Sequence, residues 1–169
     1  MDYMLLEIQD KVKIDGESTL KGFEKFIELS SYSHGVSNDI QPNTSNTGRT
    51  SGRPNLQEMS ITKKLDSTTP LINYCCAMGQ CLGTTRLHLV RQDATADGKI
   101  PDAIDYMVYE MTDTMISSVH VGGGGSSIPM ETVSLDLSKI TWTYKSQKTE
   151  DGVEETVEQF WDQVTNTGG

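Results

Sequence analysis

Polar and apolar residues alternate with a period of two along most of this chain, the pattern of strands that bury one face. Thr85, Leu87 and Leu89 oppose Arg86, His88 and Val90, and Tyr106 and Val108 alternate with Met107, Tyr109 and Met111. Further strands are expected at residues 3–8, 26–36, 59–65, 132–137, 140–145 and 153–161, which are rich in β-branched and aromatic side chains. Asp15-Gly16, Asp97-Gly98 and Asp151-Gly152 supply the positive-φ chemistry of tight turns. About eight strands joined in this way give a mainly β fold, a barrel or a sandwich.

The period changes once. Thr69 as N-cap and Pro70 at the first helical position precede Leu71, Cys75, Met78 and Leu82 at helical spacing, with Gly79 as the stop. A helix of about ten residues is marginal alone, so its apolar stripe must pack on the sheet. Residues 38–55 (NDIQPNTSNTGRTSGRPN) form a long polar stretch with only Ile40 to anchor it, which reads as a loop of functional or disordered character. Residues 121–127 (VGGGGSS) read as a second, shorter and more flexible loop. With no internal repeat and no linker, residues 1–169 are expected to form one domain around one core.

Charge narrows the partners. Fourteen Lys and Arg against 24 Asp and Glu give a net charge of −10, which repels phosphate backbones and anionic lipids, so neither nucleic acid nor membrane is expected. The opening MDYMLLEIQDKVKI lacks a basic segment followed by an apolar run, and no window approaches 18 apolar residues; synthesis in the cytoplasm without a signal peptide is expected. Cys75, Cys76 and Cys81 crowd into seven positions, which suits reduced thiols better than a disulfide framework.

Candidate chemistry fails on context. Gly79-Gln80-Cys81-Leu82-Gly83 fits a nucleophile elbow with Cys in place of Ser, but the elbow needs a strand before it and a helix after it, and here the order is reversed. Cys81 is then a small, half-buried apolar residue. The cysteines match no zinc spacing, and His34, His88 and His120 lie far apart. Gly122 to Gly125 lack the Lys and the helix start of a phosphate loop. His34 and His88 read as hydrogen-bonded strand residues, and Glu150, Asp151, Glu154, Glu155 and Glu158 as a solvated face. No catalytic, cofactor-binding or metal-binding residue is expected, and the chain is not expected to be an enzyme.

Several phrases, taken in order, resemble the haemolysin-coregulated protein (Hcp) family, the tube subunit of the type VI secretion system. They are Gly16-Glu17-Ser18, FIELSSYSHGVS at 26–37, SITKKLDSTTPL at 60–71, ISSV at 116–119, PMETVSL at 129–135, ITWTY at 140–144 and FWD at 160–162. Tyr32 and His34 stand where the family often has Trp, and residues 122–127 fall in a variable loop. The resemblance implies a β-barrel of two sheets with one packed α-helix and an extended loop. It also implies six copies closing into a ring, and rings stacking into a tube inside a contractile sheath. Contraction would expel the tube with a spike protein of the VgrG type, carrying effector proteins in the lumen and needing no cofactor. The protein would be cytoplasmic before firing and secreted afterwards.

Residues 38–55 match the position of the family's stacking loop, which makes Asn38, Asp39, Gln41, Asn43, Arg49 and Arg53 the candidate ring-stacking residues, with Arg49 and Arg53 available to pair with acidic surface on the next ring. Eight residues follow Trp161, so no C-terminal toxin extension is expected. Two alternatives remain open on the residues alone: a monomeric β-sandwich binding a ligand through the long loop, and a hydrolase using Cys81.

Overall fold

A computed structural model describes residues 2–41, 50–92, 102–146 and 155–169. Among these residues the fold is mainly β, with an eleven-stranded sheet, a separate two-stranded sheet and a single α-helix. Its spine is β9 (Ile104–Gly122), a 19-residue strand. One edge of β9 pairs with β8 (Cys81–Arg91), and the other pairs first with β11 (Lys139–Lys145) and then with β10 (Met130–Asp136). The change of partner falls at Asp113, which has a φ of 51°. There the chain bends, and Ser138 Oγ donates to the carbonyl of Thr112 and to the Asp113 carboxylate.

The pairings form a closed circuit. From β9 it runs through β8 to β1 (Asp2–Gln9), which also pairs with β3 (Ile27–Glu28). The next residues cross over: the Leu29 N–H bonds to the carbonyl of Met4, and the Ser30 N–H bonds to that of Thr62. β4 (Ser31–Ser33) then pairs with β7 (Met59–Lys64), β7 pairs with β10, and β10 returns to β9. The single strand expected over 26–36 is therefore split, because one short segment must join two strands that do not touch each other. Closure of this kind removes the free edges of an open sheet. Inside lie Leu6, Ile8, Ile27, Met59, Ile61, Leu87, Met111, Val133 and Ile140, each at most 1 % exposed.

Outside the circuit, β2 (Lys13–Ile14) pairs with β1, while β12 (Thr156–Asp162) and β13 (Thr167–Gly168) extend the sheet from β11. Residues 15–26 strap across the outer face of β1 and β8, where Phe23 and Phe26 pack on His88. Gly16 lies on this strap, and its φ is not positive, contrary to the turn expected at Asp15-Gly16. Glycine is required there for another reason: a Cβ would sit 2.3 Å from the carbonyl oxygen of Phe26. Asp97-Gly98 and Asp151-Gly152 lie outside the described residues.

Helix α1 (Thr69–Met78) has Pro70 in its first turn and ends at Gly79, whose φ of 63° is the left-handed cap that the sequence predicts. Two expectations need correction. The N-cap is Thr68, not Thr69, and its side chain makes no capping hydrogen bond; Asp66 just before it accepts from the Thr68 N–H. The buried face is Ile72 and Cys75, whereas Leu71, Tyr74 and Met78 are exposed and Leu82 belongs to β8. The helix packs on β9, and the short link from β7 turns Ile72 rather than Leu71 towards it.

Beneath the start of α1 lies a buried ion cluster. Lys63, fully buried on β7, meets Glu131 on β10 at 2.6 Å and Asp66 at 2.7 Å, and Thr69 Oγ1 donates to Glu131 at 3.2 Å. Glu131 is itself fully buried. The cluster ties two strands of the barrel to the helix cap. A second cluster lies under the strap, where His88 faces Glu7 at 3.3 Å and Asp105 at 3.2 Å, and Lys145 reaches Asp105 at 2.7 Å.

Two predictions arise from these clusters. Lys63→Met leaves two carboxylates without their cation and should cost about 3–5 kcal/mol, whereas Lys63→Met with Glu131→Leu should recover most of the loss. Urea denaturation at one fixed protein concentration compares the two. The second concerns acid. For both Asp66 and Asp105 burial alone would raise the pKa, but the hydrogen bonds and cations around them outweigh it and hold each below the usual 3.8. Their stabilisation is complete above that value and is lost as pH falls through the lower folded-state value. Melting temperature should therefore drop steeply below about pH 4, and Asp105→Asn should be less stable at pH 7 with a flatter fall in acid.

Candidate functional site

The described residues of the expected loop lie on paired strands. β5 (Val36–Gln41) and β6 (Thr50–Leu56) form an antiparallel hairpin arm, with Val36 opposite Leu56, Asn38 opposite Pro54 and Gln41 opposite Thr50. The ladder shifts register between Asn38 and Ile40, which leaves Asp39 at a bulge beside Gly52. A Cβ on Gly52 would meet the Asp39 carbonyl at 2.9 Å, so this close approach requires glycine. The polar sequence hid these strands because their hydrogen bonds are made by the main chain and bury no side-chain stripe.

The arm shares no ladder with the barrel sheet. Among its described side chains only Leu56 is buried, and Val36 and Ile40 are 51 % and 59 % exposed. An isolated two-stranded hairpin is marginal in water, so the arm depends on its anchorage and on whatever covers it.

The anchorage is firm at the base. The Gln57 N–H bonds to the carbonyl of Gly35, and His34 Nδ1 lies 3.0 Å from the Gln57 carbonyl, as a hydrogen-bonded His. Burial lowers the His34 pKa against the opposing effect of that bond, so the ring is neutral at pH 7. Tyr32 and His34 pack on Tyr109. Burial, helped by a hydrogen bond with Tyr32, raises the Tyr109 pKa and keeps its phenol protonated. This aromatic base fixes where the arm leaves the barrel.

Of the six candidate stacking residues, Asn38, Asp39, Gln41 and Arg53 are brought together on the arm, and Asn38, Asp39 and Arg53 are exposed. Asn43 and Arg49 lie outside the described residues. Arg53 points to the turn between β12 and β13, where its Nη2 donates to the Gln163 carbonyl. Sequence reasoning missed this C-terminal corner. A main-chain acceptor leaves no mark in residue type, though the cluster Trp142, Phe160 and Trp161 offered a signal that the corner lies beside something.

The alternative chemistry has little support in the geometry. α1 precedes Cys81 and β8 follows it, so the elbow order is reversed as expected. Cys81 Sγ has Lys11 Nζ at 4.0 Å, while burial pushes the Cys75 thiol up. Among the described residues no group of three or more His, Cys, Asp or Glu is placed to hold a metal ion, and no helix is long and apolar enough to cross a membrane.

Solved structures similar to this chain include proteins of the type VI secretion system. The solved structure titled "Structure of a type six secretion system protein" is similar over 100 % of both chains, with a TM-score of 0.83 and 23 % identity. Hcp1 from Salmonella typhimurium matches over 99 % of both, with a TM-score of 0.72 and 22 % identity. These likenesses establish the fold. In sequence, Protein hcp1 of Pseudomonas aeruginosa is 28 % identical over 95 residues, which cover 56 % of this chain and 55 % of that protein. The match thus spans little more than half the length of that relative. The family described as "Type VI secretion system effector, Hcp" matches residues 4–144. By that match across most of its length, the chain belongs to the Hcp family of the type VI secretion system.

Proposed function

We propose that this chain is a structural subunit of the type VI secretion inner tube, a single tube domain in which six copies close into a ring and rings stack through the β5–β6 arm. The observation that carries the reading is the arm itself: a paired hairpin outside the barrel ladder, with Val36 and Ile40 exposed on it. The barrel closes its own sheet without the arm, so the arm has no task within the monomer that its length explains. A second ring is the natural cover, with Asn38, Asp39, Gln41, Asn43, Arg49 and Arg53 as the contact residues.

Family membership supports the rest of the reading. Subunits assemble in the cytoplasm inside a contractile sheath, and contraction drives the tube and a VgrG-type spike out of the cell with effectors in the lumen. A closed ring needs heterologous contacts, each burying more than about 1,000 Å². The charge of −10 keeps unassembled copies apart until such contacts form.

Negative-stain microscopy with light scattering tests this directly: rings of six copies are expected at high concentration, and a protein that stays monomeric overturns the reading. Deleting residues 43–53 should leave rings but abolish their stacking. A finer variant, Ile40→Asp, should raise the concentration needed for stacking about tenfold, the effect of losing ~1.4 kcal/mol of apolar burial at one contact, with ring formation unchanged by sedimentation.

A further inference from the structure

Beyond its base, the arm meets the barrel at its Arg53 side chain, which donates to the Gln163 carbonyl, and clefts open beside that bond. One of about 420 Å³ opens between Gly52, Arg53, Val164 and Asn166. A second of about 700 Å³ runs from Arg53 and Pro54 to Leu137 and Ser138. A third of about 430 Å³ lies under Val36 and Pro54, floored by Trp142, Phe160 and Trp161. These clefts are open to solvent, and among the described residues the Arg53 bond joins the arm to this corner across them.

The acceptor side is built independently of the arm. The Gln163 N–H bonds to the Ser138 carbonyl, and Asp162 Oδ1 accepts from the N–H groups of Val164 and Thr165. The turn is thereby fixed, with the Gln163 carbonyl turned to the arm. The seat is also incompletely satisfied, because the buried Trp161 Nε1 has no hydrogen-bond partner among the described residues. Arg53, for its part, is spent on a neutral carbonyl in a chain with ten more acidic than basic residues. A carboxylate gives a guanidinium a stronger, charge-assisted bond, so an acidic group on another copy can displace the carbonyl.

We infer that Arg53 and Gln163 form a latch that parks the arm on the C-terminal corner of the free subunit, and that stacking requires the latch to open. This rests on the tube reading and adds a control to it: the arm is held down until a neighbouring ring offers Arg53 a better acceptor.

The protein carries its own probe, since Trp142 and Trp161 are its two tryptophans and both line the cleft beneath the arm. In unstacked protein, Arg53→Ala should raise the acrylamide quenching constant about twofold or more, the change expected when a charge-assisted bond that held the arm closed is lost. Arg53→Lys, which can still donate to the carbonyl, should stay near wild type. Unchanged quenching in Arg53→Ala overturns the latch. Opening is tested by Pro54→Cys with Val164→Cys, which line the second cleft and leave Arg53 in place. The oxidised pair should form rings that do not stack until reduced, and stacking while oxidised overturns the requirement for release. If the wild type forms no stacked rings, the tube reading fails, while the quenching comparison still decides the latch.

Discussion

The buried ammonium of Lys63 is the constraint on which much of the fold depends. It sits where β7, β10 and the entry to α1 converge, and two carboxylates from different elements satisfy it at 2.6 and 2.7 Å. Burying one cation and two anions costs several kcal/mol per ion before any attraction is counted, so the cluster tolerates only arrangements in which all three groups meet. That demand reinforces the β7–β10 register already set by the alternating buried positions of both strands, and holds Asp66 beside the start of α1.

The same cluster shows how much was legible in the sequence. Period-two alternation located β1, β7, β8, β10 and β11 within a few residues, because each buries one face. Lys63 and Glu131 were also visible in principle: Lys63 continues the inward series Met59 and Ile61, and Glu131 begins the series Val133 and Leu135. A charge in phase with a buried stripe asks for a partner in phase with another. The partner itself could not be read, because pairing across 68 positions follows from topology. The helix was located for local reasons, Pro70 and Gly79, while its buried face was misread because Leu82 completed a periodic stripe from inside the next strand.

The arm marks the other limit. Its ladder is made by the main chain, so Asn38, Asp39 and Arg53 looked like loop residues although they stand on paired strands. The resemblance placed an extended segment at this point in the chain, but its contact with Gln163 left no trace in side-chain chemistry. Nor was the crossing at Leu29 and Ser30 visible, since a segment that serves β1 with its first half and β7 with its second has the composition of one continuous strand.

The separation between arm and barrel has an evolutionary consequence. The barrel's hydrogen-bond circuit is complete without β5 and β6, so the exposed residues Val36, Asn38, Asp39, Ile40 and Arg53 can change without disturbing a core residue. Barrel positions answer to packing, whereas the exposed arm residues do not. If stacking runs through the arm as proposed, two proteins sharing this barrel could form tubes whose subunits do not intermix through changes at a few exposed positions of one hairpin.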